Sequence, residues 1–305
     1  MTRRMVVFST RRYDYLRQEI CRLAGCEPGQ VERQTFPDGE HYQRLLASVE
    51  GVDAVVVGGT VSEADTLELY DLACGLVQAD VRSLTLAIPY FGYATMERVS
   101  KPGEIVTAKT RARLLSSIPV PGSGSRVLLL DLHSEGVPFY FEGAMRPVHL
   151  RATPVILATA KRLAEGPFVF ACTDAGRAKW VEALANQIGV TASFVFKRRI
   201  DARNTEVSAM SAQVQGAHVV IYDDMIRTGG SLLAAARAYM QAGATAISVV
   251  VTHGVLPGDA LARLEQSGLF RAIACTNSHP RAVELGGRFL QTESVAGVFA
   301  DYLKA

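Results

Sequence analysis

Short apolar runs separated by stretches of helical spacing constrain this chain more than any other feature. The runs are MVVFS (5–9), DAVVVGG (53–59), SLTLAIPY (83–90), RVLLLDLH (126–133), FVFACTD (168–174), SFVFK (193–197), HVVIYDD (218–224) and AISVVVTHG (246–254). They are rich in Val, Leu and Ile and do not alternate strictly with polar residues, which is the pattern of strands buried on both faces. Between them lie YDYLRQEICRLAG, TLELYDLACGLVQA, TAKTRARLLSSI, TPVILATAKRLA, GRAKWVEALANQIG and SLLAAARAYMQAG. Several of these stop at a glycine, as helix C-termini do. Strand–helix–strand alternation predicts parallel sheets flanked by helices. A chain of 305 residues exceeds one ordinary core. The expectation is therefore two similar α/β domains, residues 1–147 and 148–305, dividing within GAMRPVHLRA (143–152). The last helix, around VAGVFADYLKA, is expected to pack back on the first domain.

Composition excludes several classes of partner. Apolar residues make up 49% and charged residues 20%, with mean hydropathy +0.15, as in a soluble globular protein. A formal net charge of +2 gives no bulk attraction to nucleic acid or an acidic membrane. No apolar stretch approaches the roughly 20 residues of a membrane span. The opening MTRRMVVFST has two arginines before an apolar run too short for a signal peptide, and it reads as a first strand. Cys21, Cys26, Cys74, Cys172 and Cys275 are scattered and lack metal-ligand spacing. They are expected to be free buried thiols of a cytoplasmic protein.

The run VVIYDDMIRTGG (219–230) carries chemistry. Ligands of an open parallel sheet bind beyond the carboxyl ends of its strands, and Asp223 and Asp224 are expected at such an end. Arg227, Thr228, Gly229, Gly230 and Ser231 follow, and then a helix. Glycines at a helix start let backbone N–H groups curl around an anion, and the helix dipole adds to the attraction. Thr228 and Ser231 can donate hydroxyls to the same anion. A carboxylate pair does not favour phosphate, but it suits the ribose hydroxyls attached to one, or a magnesium ion. The alternative is a surface turn with two solvated acids.

This order of strand, Asp-Asp, Thr-Gly-Gly-Ser and helix resembles the signature of type I phosphoribosyltransferases and of ribose-phosphate diphosphokinases. Further stretches resemble the diphosphokinase family: FPDGEHYQRL (36–45), PYFGYATMERVSKPGEIVTAKTRARLL (89–115), LLLDLHSEGVPFYFE (128–142), ACTDAGRAKWVEALANQIG (171–189), FKRR (196–199), VVTHGVL and ACTNSHP. The resemblance covers nearly the whole chain in order. It implies two type I phosphoribosyltransferase-like domains and diphosphoryl transfer from Mg-ATP to the anomeric hydroxyl of ribose 5-phosphate. By resemblance, Phe36, Asp38, Glu40, Arg98 and His133 bind ATP. Asp174, Asp223, Asp224, Arg227, Thr228, Gly229, Gly230 and Ser231 bind the ribose phosphate. His133 and Asp174 organise the metal, Mg²⁺, and Lys197 and Arg199 stabilise the transferring group. Residues 198–210 are polar enough for a closing loop. The family is built from dimers, often as hexamers, in which the FPDGE loop reaches a neighbour's ATP site.

Three departures from the family pattern stand out. Arg227 stands where aspartate is usual, Thr95-Met96 replace an Arg-Gln pair that contacts ATP, and Ser100 stands where some members have aspartate. A positive charge beside the phosphate site suits a more anionic acceptor, so ADP-ribose is the alternative substrate. A non-catalytic regulatory homologue is the alternative of another class. Retention of His133, Asp174, Lys197, Arg199 and the aspartate pair argues against it.

Overall fold

The apolar runs form the middle of two sheets, each inside its own unit. The computed structural model describes residues 4–173, 175–199, 205–210 and 214–305, with 175, 195–199 and 205–210 described by backbone alone. One unit is Met1–Arg151 with Val295–Ala305, and the other is Ala152–Ser294.

In the first unit the strands are β1 (Met5–Ser9), β2 (Glu27–Pro28), β3 (Val31–Thr35), β4 (His41–Leu45), β5 (Asp53–Val57), β6 (Ser83–Ile88), β7 (Ser125–Leu130) and β8 (Met145–Leu150). The sheet order is β2-β1-β5-β6-β7-β8, parallel throughout, while β3 and β4 pair as a separate antiparallel hairpin. Helices α1 (Asp14–Ala24), α2 (Glu63–Gln78) and α3 (Thr107–Ser116) complete its N-terminal segment. Helix α1 ends at Gly25 (φ 67°), whose N–H donates to the Cys21 carbonyl; glycine takes this left-handed cap without a Cβ penalty. Helix α2 starts at Ser62, whose hydroxyl accepts the Asp65 N–H at 3.1 Å. Phe8, Val56, Leu86 and Leu129 from the sheet pack with Leu69 and Leu76 of α2 in one core. Each such side chain contributes about 1.5–3 kcal/mol by leaving water.

The second unit holds α4 (Thr153–Ala164), β9 (Phe168–Cys172), α5 (Ala178–Ile188), β10 (Thr191–Arg199), β11 (Thr205–Met210), β12 (His218–Ile226), α6 (Gly230–Gln241), β13 (Ala246–Gly254), α7 (Ala260–Gln266), β14 (Ala272–Thr276), α8 (Pro280–Leu285) and β15 (Leu290–Glu293). The sheet order is β11-β10-β9-β12-β13-β14-β15, parallel except for β10 with β11. Helix α9 (Ala296–Lys304) belongs to the first unit, where it packs on α1.

Every apolar run contains a strand, and two parallel α/β sheets result. The strands without such a run are mostly peripheral. β8 is one of them: it occupies the stretch 143–152 that sequence reasoning treated as the interval between halves, and the chain divides after Arg151. As an edge strand β8 pairs on one side only, and its Arg146, Pro147, Val148 and His149 remain partly exposed, so it carries no apolar run. β12 runs two residues past Asp224 to Ile226, so the aspartate pair lies inside the strand end.

Candidate active site

The carboxyl end of β12 brings two acids under strong mutual influence. Asp224 is buried, and its Oδ2 takes an ion pair of 2.6 Å from Nη2 of Arg177, which stands just before α5. Asp223 is half-buried; its Oδ2 accepts the Thr173 hydroxyl at 3.0 Å and its Oδ1 accepts the Asp224 N–H at 3.0 Å. Burial, then the charge of Asp224 and a hydrogen bond with it, raise the Asp223 carboxyl to about 7, against the Thr173 hydroxyl and Arg177. Asp223 therefore holds a proton more readily than an ordinary aspartate, while Asp224 faces Arg177.

The turn after β12 leads straight into a helix start. Gly229 has φ 79° and precedes α6, which starts without a side-chain cap. Its first N–H groups thus have no side-chain acceptor, and they carry the positive end of the helix dipole. A Cβ on Gly229 would lie 2.9 Å from Leu264 Cδ2, so both φ and space require glycine. Arg227, Thr228 and Ser231 are exposed around this turn.

The structure thus brings Asp223, Asp224 and residues 227–231 together. Asp174 and the side chains of Lys197 and Arg199 lie outside the described residues, although the backbone of 197 and 199 pairs with β11, opposite 207 and 205. Part of the stretch expected as a loop, 205–210, is strand β11, antiparallel to β10. Thr173 and Arg177 were not singled out from sequence. The one signal was their place as the ends of the TDAGR segment; their contacts need the fold.

In the first unit Phe36, Asp38 and Glu40 share the turn between β3 and β4. The Phe36 N–H donates to the Glu40 carbonyl at 2.8 Å, and the Glu40 N–H to Asp38 Oδ1 at 3.1 Å. All three are exposed, the Phe36 ring tilted against Tyr42 at 6.1 Å. Arg98 is exposed in another loop, 3.8 Å from Glu97 Oε1, a surface pair of small energetic value. His133 is exposed two residues beyond Asp131, whose φ of 38° turns the chain sharply after β7. This turn is held by His149, whose Nε2 accepts the Leu132 N–H at 2.9 Å.

An imidazole that accepts must be neutral, and burial with the charge of Arg151 lowers His149 to about 4. The unfolded chain then binds a proton that the folded chain refuses between about pH 6.5 and 4. Stability from this group is complete above that window and is lost as pH falls through it. His149→Gln, an acceptor that does not titrate, is expected to flatten the decline of the urea midpoint between pH 7 and pH 5. An unchanged slope would remove His149 as its source.

Comparison with known proteins decides the family. Residues 5–118 match the model of the N-terminal domain of ribose phosphate pyrophosphokinase, and residues 193–303 match the phosphoribosyl synthetase-associated domain. The ribose-phosphate pyrophosphokinase of Gloeobacter violaceus is 32% identical over 301 residues, covering 98% of this chain and 89% of that protein. The Rhodopirellula baltica enzyme of the same name is 32% identical over 307 residues, covering 99% and 95%. The chain belongs to the ribose-phosphate pyrophosphokinase family. The phosphoribosylpyrophosphate synthetase of Mycobacterium smegmatis shares the fold, with TM-score 0.86 at 24% identity over 99% of this chain and 98% of that one. The interval between the two model matches carries His133, Asp174 and Arg177. The aspartate pair and the Gly229 turn fall inside the second match.

Proposed function

We propose that this chain transfers a diphosphoryl group from Mg-ATP to the anomeric hydroxyl of ribose 5-phosphate. The hydroxyl oxygen bonds to the β-phosphorus, the bond from that phosphorus to the α-bridging oxygen breaks, AMP leaves, and the hydroxyl proton passes to solvent. The observation that carries the reading is the acid pair of β12 beside the uncapped, Gly229-led start of α6. The α6 N–H groups, with Thr228 and Ser231, bind the 5-phosphate, and Asp223 and Asp224 accept the ribose hydroxyls. Lys197 and Arg199 are assigned to the transferring group as fixed cations. Phe36, Asp38, Glu40, Arg98 and His133 are assigned to ATP, and Asp174 with His133 to its metal.

Magnesium suits the oxygen donors of this site. It is commonly held by one or two carboxylates together with substrate phosphates, without a dedicated protein cage. Among the described residues no group of three or more His, Cys, Asp or Glu converges on one point, so ATP supplies most of its ligands in this reading. The proposed assembly is a homo-oligomer built from dimers, which gives the exposed Phe36–Glu40 turn a neighbour to reach. No helix among the described residues is long and apolar enough to cross a membrane.

Purified protein with Mg-ATP and ribose 5-phosphate is expected to release AMP together with a product carrying the added diphosphate by mass. A folded, assembled protein that releases no AMP would sink the reading; turnover of ADP-ribose in preference would transfer it to a substituted acceptor. Binding should also depend on pH. Asp223 accepts a ribose hydroxyl best when ionised, so KM for ribose 5-phosphate is expected to fall as pH rises through about 7. In Asp224→Asn the repelling charge is gone, and this limb should move to lower pH. A limb that stays in place would mean that another group titrates.

A further inference from the structure

We propose that Glu63, Tyr93 and Arg111 form a clamp that positions the 94–105 loop for the nucleotide. The inference rests on the reading that this loop takes ATP.

The clamp begins with a backbone constraint. The Gly92 N–H donates to Thr60 Oγ1 at 2.7 Å, and a Cβ on Gly92 would lie 2.1 Å from the Thr60 carbonyl oxygen. The chain therefore runs flush against the segment beyond β5 and must turn away at the next residue. Tyr93 makes that turn with φ 62°, a left-handed conformation unfavourable for a bulky aromatic residue and retained only where surroundings enforce it.

Three segments supply the enforcement. The Tyr93 hydroxyl donates to Glu63 Oε1. Arg111 Nη2 donates to the same oxygen at 3.1 Å, and the Arg111 guanidinium carbon lies 5.2 Å from the Tyr93 ring centroid. Glu63 is the first residue of α2, where the helix dipole favours its charge, and Arg111 comes from α3. Among the described residues the Arg111 Nε is buried without a partner. A guanidinium kept at a place that leaves one donor unsatisfied points to the contacts made by its other end.

The turn passes directly into the loop. The Met96 N–H donates to the Tyr93 carbonyl at 2.8 Å, and the Ala108 N–H to the Met96 carbonyl at 3.3 Å. Further along, the Glu104 carboxylate closes residues 100–104 by accepting the Ser100 N–H at 2.6 Å and the Lys101 N–H at 2.9 Å. Thr95, Met96 and Arg98, the positions where this chain departs from or keeps the family's ATP contacts, hang between these ties. The clamp touches no substrate; its three members are positioning residues.

The test is Arg111→Met, which keeps the apolar stem and removes the charge, read by steady-state kinetics and amide hydrogen exchange. Loss of the cation–aromatic stack and the ion pair is expected to raise KM for ATP about tenfold, or about 1.4 kcal/mol. KM for ribose 5-phosphate and kcat should change little, and exchange should quicken in residues 94–105 alone. Arg111→Lys should recover part of the loss, because lysine keeps the charge without the flat stack. An unchanged KM for ATP, or equal losses for both substrates with faster exchange throughout the unit, would overturn the proposal. The exchange measurement needs no turnover. A wild-type protein inactive with ATP would remove the functional reading, while loop exchange unchanged by Arg111→Met would remove the clamp.

Discussion

Asp224→Ala is expected to cause the largest loss of any single change in the site. It removes the carboxylate whose Oδ2 lies 2.6 Å from the Arg177 guanidinium, a side chain only 22% exposed. Loss of a charge-assisted bond in a largely buried pair is expected to destabilise the fold by about 1.5–3 kcal/mol. Activity should fall further than stability explains. A carboxylate acceptor for a ribose hydroxyl is lost, and a charge-assisted hydrogen bond worth about 1.5–3 kcal/mol corresponds to roughly 10–150-fold in kcat/KM for ribose 5-phosphate. Urea melts and kinetics on Asp224→Ala, Arg177→Met and the double variant separate the two effects. The double variant should regain stability without regaining activity. If it regains both, Asp224 serves only to hold Arg177.

Gly229→Ala is expected to damage the phosphate turn by two independent routes. A φ of 79° is strained for alanine, and the new Cβ would meet Leu264 Cδ2 at 2.9 Å. Strain of this kind costs about 1–3 kcal/mol, and relieving it rotates the first α6 N–H groups away from the anion. KM for ribose 5-phosphate should rise at least tenfold for each 1.4 kcal/mol of lost phosphate binding. Gly230 provides the contrast, because a Cβ there meets nothing closer than Thr228 Oγ1 at 3.9 Å. Gly230→Ala should therefore leave the urea midpoint unchanged. Adding Leu264→Ala to Gly229→Ala should recover the steric part of the loss and leave the dihedral part. No recovery would place the whole effect in φ.

The legibility of the molecule varied with how local its causes are. The buried parallel strands β1, β5, β6, β7, β9, β12 and β13 announced themselves, because a strand covered on both faces needs apolar residues at consecutive positions. β8 and β3 did not, because an edge or hairpin strand with residues such as Arg146 and Glu32 facing water has no such need. The Gly229 turn was readable for the same local reason: a left-handed residue before a helix calls for glycine. Thr173 and Arg177 were not, since nothing in their own neighbourhood says which carboxylate they meet.

The alternation of apolar runs and helical spacing was enough to determine two parallel α/β sheets, and the order Asp-Asp, Thr-Gly-Gly-Ser was enough to place a glycine turn between a strand and a helix. Both follow from interactions among residues close in sequence. The protonation of Asp223, the ion pair of Asp224 with Arg177, the neutral His149 under the Leu132 N–H and the Glu63–Tyr93–Arg111 clamp were decided by tertiary structure alone. Each depends on burial and on partners from separate elements, and a desolvated charge takes its energy from whatever the fold sets beside it.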